Sequence, residues 1–159
     1  MDTEKIVPLD ATDRKILDVL QRDGRITNAA LAEQLHLSPS PCLRRVRRLE
    51  ESGLIAGYRA ELDRARLGLG MTVFCELKVS EHSSRTATKI ADALREAPEV
   101  VAAHVVSGSA DFLLEVAVAD LAAYERLVFD TILQLPAVTD LRSNFALRTV
   151  KASGPLLTG

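Results

Sequence analysis

Residues 37–53 read LSPSPCLRRVRRLEESG. The stretch opens as a helix should, with Ser38 as an N-cap type and Pro39 at the first helical position, where a missing N–H costs nothing. Gly53 ends it. At about 100° per residue, Cys42, Val46 and Leu49 fall on one side and predict a buried seam. Arg44 and Arg48 fall opposite, with Ser40 and Pro41 above them; Arg45 and Arg47 flank that face. No acidic residue lies between Ser38 and Leu49, so the four arginines lack i,i+4 partners until Glu50 and Glu51. An apolar seam backed by an arginine stripe suits a helix that enters the major groove of DNA. Central arginines reach guanine O6 and N7 in bidentate geometry, and flanking ones pair with phosphates. A merely solvated face would interleave glutamates with the arginines.

Upstream, Asp10 and Asp13 mark a helix start. Ile16, Leu17 and Leu20 form its inner face and Asp23-Gly24 its stop. Thr27 caps a second helix with Ala30, Leu31 and Leu35 inward. His36, Leu37 and Ser38 make the short turn that defines a helix-turn-helix. Downstream, residues 54–62 read as short strands around a turn, a wing that would carry Tyr58 beside the DNA backbone. Packing against the third helix is the plainer role for Tyr58.

Composition narrows the remaining classes. The chain has 159 residues, 47% hydrophobic and 26% charged, with a net charge of −2. These are ordinary globular values, which exclude disordered and fibrous classes. Apolar runs fall far short of the ~20 residues of a membrane span. The acidic start MDTEKIVPLD shows no signal peptide. Two cysteines, Cys42 and Cys75, predict neither a disulfide scaffold nor a metal site, and fit buried thiols in a reducing cytoplasm. Residues 1–61 hold ten basic and ten acidic side chains, and 62–159 hold ten and twelve. The basic signal is therefore local to one helix.

The second half alternates strand and helix patterns. Residues 63–70 hold two glycines without periodicity and read as a hinge. Residues 71–79 predict a strand with Val73, Cys75, Leu77 and Val79 on one face. Ser83 or Ser84 then caps a helix whose inner face is Ala87, Ile90, Ala91 and Leu94. Strands follow over 100–107 and 112–119. Asp120 caps a helix with Leu121, Tyr124, Leu127, Val128 and Ile132 inward. A last strand runs over 138–150, alternating Leu141, Ser143, Phe145 and Leu147 with Arg142, Asn144, Ala146 and Arg148. The order is βαββαβ, an α+β ferredoxin-like fold. Both faces of its sheet read as apolar, so a second copy related by twofold symmetry is expected to cover the open one.

The loop of residues 106–111 is the best small-ligand candidate by physics alone. Gly108 lets backbone approach a ligand closely, loop N–H groups suit a carboxylate, and Asp111 suits an ammonium. An ordinary turn capped by an aspartate fits the same residues. His104 stands alone on a strand, a packing or interface position, and His82 begins a polar loop.

The N-terminal residues resemble the DNA-binding domain of the Lrp/AsnC family. The likeness rests on Leu9-Asp10, Asp13, Ile16-Leu17, Asp23-Gly24-Arg25, Leu31-Ala32, Leu37-Ser38-Pro39 and residues 44–49 and 53–58. His36 stands where the family has glycine; histidine tolerates φ > 0, at greater cost. The C-terminal half resembles the family's amino-acid-sensing RAM domain through Val106-Ser107-Gly108, Asp111, Leu113-Leu114, Asp120-Leu121, Tyr124, Leu135-Pro136, Val138 and Val150-Lys151.

The resemblance implies three segments: a winged helix-turn-helix domain over 1–61, a hinge over 62–70 and a RAM domain over 71–159. It implies a cytoplasmic, non-enzymatic transcription regulator without cofactor or metal. DNA contacts would come from Ser38, Ser40, Pro41, Arg44, Arg45, Arg47, Arg48 and Tyr58. A small amino-acid effector would bind between dimers at Gly108, Ser109, Ala110 and Asp111, with Asn144, Phe145 and Ala146 as further lining. Homodimers would assemble into tetramers or octamers. Two rival readings remain. A tetrapyrrole decarboxylase of related fold would need histidines and cations around a large pocket. An amino-acid sensor without DNA binding would have no use for the arginine stripe.

Overall fold

The computed structural model describes residues 7–81, 83–152 and 154–158. Residues 1–6, within the stretch read for a leader, and His82 lie outside the described residues. The chain divides into two units, Met1–Glu61 with Lys151–Gly159, and Leu62–Val150. The last nine residues thus group by contact with the first unit.

Three helices build the first unit: α1 (Ala11–Leu20), α2 (Asn28–Gln34) and α3 (Pro39–Glu51). Helix α1 starts where its acids predict. The Asp10 carboxylate accepts from the Thr12 and Asp13 amides, and Asp13 returns the bond to the Asp10 amide, closing a capping box. The helix ends at Leu20, before the Asp23-Gly24 stop. Thr27 caps α2 through the Ala30 amide at 3.2 Å. Ile16, Leu17, Leu31, Ala32, Cys42 and Leu49 form the core, with Val46 and Leu35 packed against it. Ala30 is exposed and Ala32 takes the inward place assigned to it. His36 has φ 54°, so the turn between α2 and α3 does use the left-handed region. Residues 54–62 contain no strand, so the paired hairpin expected from the sequence does not form there.

The second unit is a four-stranded antiparallel sheet in the order β2-β3-β1-β4. Its elements are β1 (Met71–Val79), α4 (Ser84–Glu96), β2 (Val100–Val105), β3 (Phe112–Val118), α5 (Leu121–Asp130), a 3-10 turn (Ile132–Gln134) and β4 (Val138–Phe145). Alternation places Val73, Cys75, Leu77 and Val79 in one core with Leu114, Val116, Ile90, Leu94, Tyr124, Leu127 and Ile132. Thr86 replaces Ala87 as the buried residue of α4's first turn, and Leu121 is exposed at the start of α5. β4 stops at Phe145, opposite Val73, the end pair of its ladder with β1. Leu147 is accordingly exposed. Residues 62–70 group with this unit, and Arg64 pairs with Glu115 at 2.8 Å.

The opposite face of the sheet is mixed, not apolar throughout. Phe74 shares it with Glu76, Lys78 and Glu115, and the β1–β4 register sets Glu76 beside Arg142 and Lys78 beside Asp140. No helix among the described residues is long and apolar enough to cross a membrane.

Candidate nucleic-acid interface and effector loop

Helix α3 presents the expected residues outward, but the arginine stripe is divided. The Asp13 side chain is 1% exposed and lies under α3. Its carboxylate pairs with Arg45 at 2.9 Å and with Arg48 through its other oxygen. Arg45 also donates to Asp10 at 2.6 Å. Arg45 and Arg48 are i and i+3, so one edge of α3 carries both toward α1. Arg48 is thus paired with Asp13 while its side chain stays 52% exposed. Arg44 and Arg47 are exposed and form no ion pair among the described residues. They share a shallow concavity with Ser40, Leu43, Glu51 and the paired Arg45 and Arg48, and Ser38 and Pro41 are also exposed.

The electrostatics follow from this geometry. Asp10 is held down to a pKa of about 2, first by the Asp13 amide it accepts from and then by Arg45. The same carboxylates push Arg45 further up. Burial pushes the Cys42 thiol up, only partly offset by Arg45, so it remains a neutral core group. Tyr58 donates to Glu50 at 3.0 Å. Its ring also crowds Gly24, where an added Cβ would sit 3.1 Å away. Tyr58 thus packs on the end of α3 and on the α1–α2 turn, the plainer of its two roles. The aspartates that anchor the stripe are a feature the sequence reading used only as helix-start signals. Two acids at the start of the first helix, facing unpaired arginines on the third, were the available sign.

In the second unit, Gly108 has φ 124°, a conformation open to glycine. Asp111 is committed to the fold: its carboxylate accepts from the Val79 amide at 2.8 Å, and its own amide donates to Leu77 at 2.9 Å. A notch of about 30 Å³ opens beside Ser109 and Ala110, lined by Glu76, Leu77, Lys78, Asp140 and Arg142. Asn144, Phe145 and Ala146 do not reach it. Asn144 pairs with Phe74 in the register, and the Ala146 amide donates to Thr72. Leu77 and Thr72 are five residues apart on β1, roughly 17 Å at ~3.4 Å per residue. One protomer therefore does not unite the two halves of the expected effector set. The sequence reading did not single out the two acids and two bases that line the notch. Antiparallel pairing of β1 with β4 brings them together, and neither strand's pattern shows that alone.

A buried polar chain lies behind β4. The Tyr124 hydroxyl sits 2.6 Å from Ser143 Oγ and 3.1 Å from Cys75 Sγ, and its ring stands edge-on to Phe145 at 5.4 Å. Burial is the main cause that pushes both the Tyr124 and the Cys75 pKa up, with their mutual bond adding to the tyrosine's rise. Both stay neutral and structural. His36 and His104 are exposed.

Comparison with known proteins agrees with both units. Residues 9–56 match the family described as winged helix-turn-helix DNA-binding, and residues 72–156 match the Lrp/AsnC ligand binding domain. The leucine-responsive regulatory proteins of Klebsiella pneumoniae and Escherichia coli K12 are each 41% identical over 149 residues, 94% of this chain and 91% of theirs. A Neisseria meningitidis transcriptional regulator solved in complex with L-Met superposes with a TM-score of 0.89. It is 38% identical, over 94% of this chain and 96% of that one. An AsnC family regulator from Agrobacterium tumefaciens gives a TM-score of 0.89 at 36% identity, over 93% and 96%.

Proposed function

The chain belongs to the Lrp/AsnC family of DNA-binding transcriptional regulators with an amino-acid ligand-binding domain, and from that premise we propose how its own residues do the work. A homodimer presents two α3 helices to successive major-groove faces of a roughly palindromic site. Arg44 and Arg47 make the direct contacts, and Ser38, Ser40 and Pro41 sit at the positively polarised helix start beside them. Arg45 and Arg48 stay tied to Asp10 and Asp13 and orient the helix, lending positive potential from its edge. Tyr58 braces the end of α3. The protein acts in the cytoplasm, on chromosomal DNA, and as a regulator rather than an enzyme.

The notch beside Ser109 and Ala110 carries the effector proposal. Lys78 and Arg142 suit an α-carboxylate, and Glu76 and Asp140 suit an α-ammonium. At about 30 Å³ the notch is far smaller than the roughly 300 Å³ at which small-molecule pockets begin. A second copy of the chain therefore completes the site, between dimers. Gly108 and Asp111 shape the loop, and Asn144, Phe145 and Ala146 are supplied to the same ligand by the other copy. Leucine and methionine, named with the relatives, are the first effectors to try. Binding between dimers shifts the assembly equilibrium and, by linkage, DNA affinity.

The test is fluorescence anisotropy of the protein on the duplex upstream of its own gene, against a scrambled duplex, with and without amino acids. Sequence-preferring binding that leucine or methionine changes is expected. Preference with no response to any amino acid removes the sensing reading. Equal binding to both duplexes removes operator recognition at this site.

A further inference from the structure

The C-terminal segment 155–158 lies along α1 on a receptor surface that fits it. Gln21 meets Leu156 as one peptide group meets another: its Nε2 donates to the Leu156 carbonyl at 3.1 Å, and its Oε1 accepts from the Leu156 amide at 2.6 Å. One turn earlier, Asp18 accepts from the Thr158 hydroxyl at 2.8 Å. One turn earlier again, Arg14 donates to the Thr158 carbonyl. Arg14, Asp18 and Gln21 fall within about 60° on the wheel, one stripe of α1. Only a side-chain amide offers the donor and acceptor that a peptide group needs side by side. Little apolar area holds the segment: Leu156 is 78% exposed and Leu157 fully exposed, at the rim of a cavity of about 350 Å³ that Leu17, Leu20, Leu54 and Tyr58 also line. A segment held by hydrogen bonds rather than burial is releasable.

Its place in the chain gives the docking a consequence. The chain leaves the first unit at Glu61 and re-enters it at Lys151, shortly after β4 ends at Phe145. The helix that receives the tail also carries Asp13, which pairs with Arg45 and Arg48 of α3.

We propose that residues 155–158 form a latch that docks on Arg14, Asp18 and Gln21 and couples β4 to the recognition helix, so that effector binding acts on DNA affinity through it. The coupling part rests on the effector reading above; the docking part stands without it.

Gln21→Ala tests both, because Gln21 is exposed and outside the core, so the variant keeps its fold. A chain ending at Gly154 is the second variant. Nitrogen-15 relaxation comes first. In the full chain the Leu156 and Thr158 amides should be as rigid as α1, and in Q21A they should fall to order parameters below about 0.6. Mobile tail amides in the wild type, or rigid ones in Q21A, overturn the latch whatever the effector does. Calorimetry of methionine and leucine on DNA-free protein follows, then DNA affinity with and without the amino acid that binds. Both variants should bind it as the wild type does, yet lose most of the fold-change it exerts on DNA binding. An unchanged fold-change overturns the coupling. Absence of amino-acid binding in the wild type defeats the effector reading and the coupling together, and leaves docking to the relaxation result.

Discussion

Arg45 donates to Asp13 across 2.9 Å, joining the recognition helix to a carboxylate that is 1% exposed. The pair is half-open, because the Arg45 side chain keeps 31% of its exposure. Breaking it strands a buried acid's partners at the surface, not a buried cation. Asp13→Asn should therefore cost about 2 kcal/mol, below the full penalty for splitting a buried pair and inclusive of a weakened capping box. Urea unfolding measures it. A loss under about 0.5 kcal/mol would mean that Asp13 does not hold α3.

The division of the stripe separates affinity from stability. Arg44→Ala and Arg47→Ala remove exposed cations that form no ion pair among the described residues, so the melting temperature should barely move. Each should weaken DNA binding about tenfold, and a phosphate contact among them should flatten the salt slope by about one. Arg45→Ala should instead lower stability by about 1 kcal/mol together with any loss of affinity. Melting curves and anisotropy at several salt concentrations decide the matter. Matching profiles for the three variants would dissolve the distinction.

What could be read from the sequence was local. Asp10, Thr27, Ser83 and Asp120 each cap a helix as their side-chain chemistry requires. The Val73 to Val79 alternation fixed which face of β1 is buried. What escaped depends on pairing between distant segments. The Arg45 and Arg48 partners lie more than thirty residues upstream, so the wheel could sort these arginines by angle but not by partner. Leu147 continues the β4 alternation, yet β1 offers it no partner and it projects into solvent. The tail at 155–158 carries no periodic signal, since the Gln21 side-chain amide holds the Leu156 backbone and the Asp18 carboxylate accepts from the Thr158 hydroxyl.

Acid should loosen the first unit through Asp10. Its folded-state pKa is about 2, against an ordinary 3.8. A depressed carboxyl pKa contributes stability above the unfolded value, and that contribution is lost as pH falls through the folded one. Stability should thus decline between about pH 4 and pH 2 from this group. Asp10→Asn keeps a capping acceptor but removes the titration, so its unfolding curve should depend less on pH in that window. Parallel pH profiles for the two proteins would contradict the assignment.

The Tyr124 hydroxyl bridges Cys75 and Ser143 in the second unit. Tyr124→Phe leaves Ser143 without that partner and should cost about 1 kcal/mol. Cys75 is buried and its thiol is pushed up, so disulfide-exchange reagents should label it only as fast as the unit opens. Labelling in Y124F should speed up in step with the lost stability. A rate independent of denaturant would show that the thiol is reached without opening.

His36 occupies the turn between α2 and α3 at φ 54°, where a Cβ is strained. The amide of His36 donates to Glu33 and that of Leu37 to Ala32, so neighbouring bonds fix the turn and the side chain has no say in it. The imidazole is exposed and takes no part in the core. Glycine removes the strain but adds freedom to the unfolded chain, and the two effects oppose each other. Strain in the left-handed region is the larger, so His36→Gly should stabilise the first unit by roughly 0.5–1 kcal/mol. His36→Val, β-branched, should destabilise it by more than that. Paired urea melts read both signs. A destabilising glycine would mean that the imidazole makes a contribution its exposure hides, and DNA affinity of H36G would then be the place to look for it.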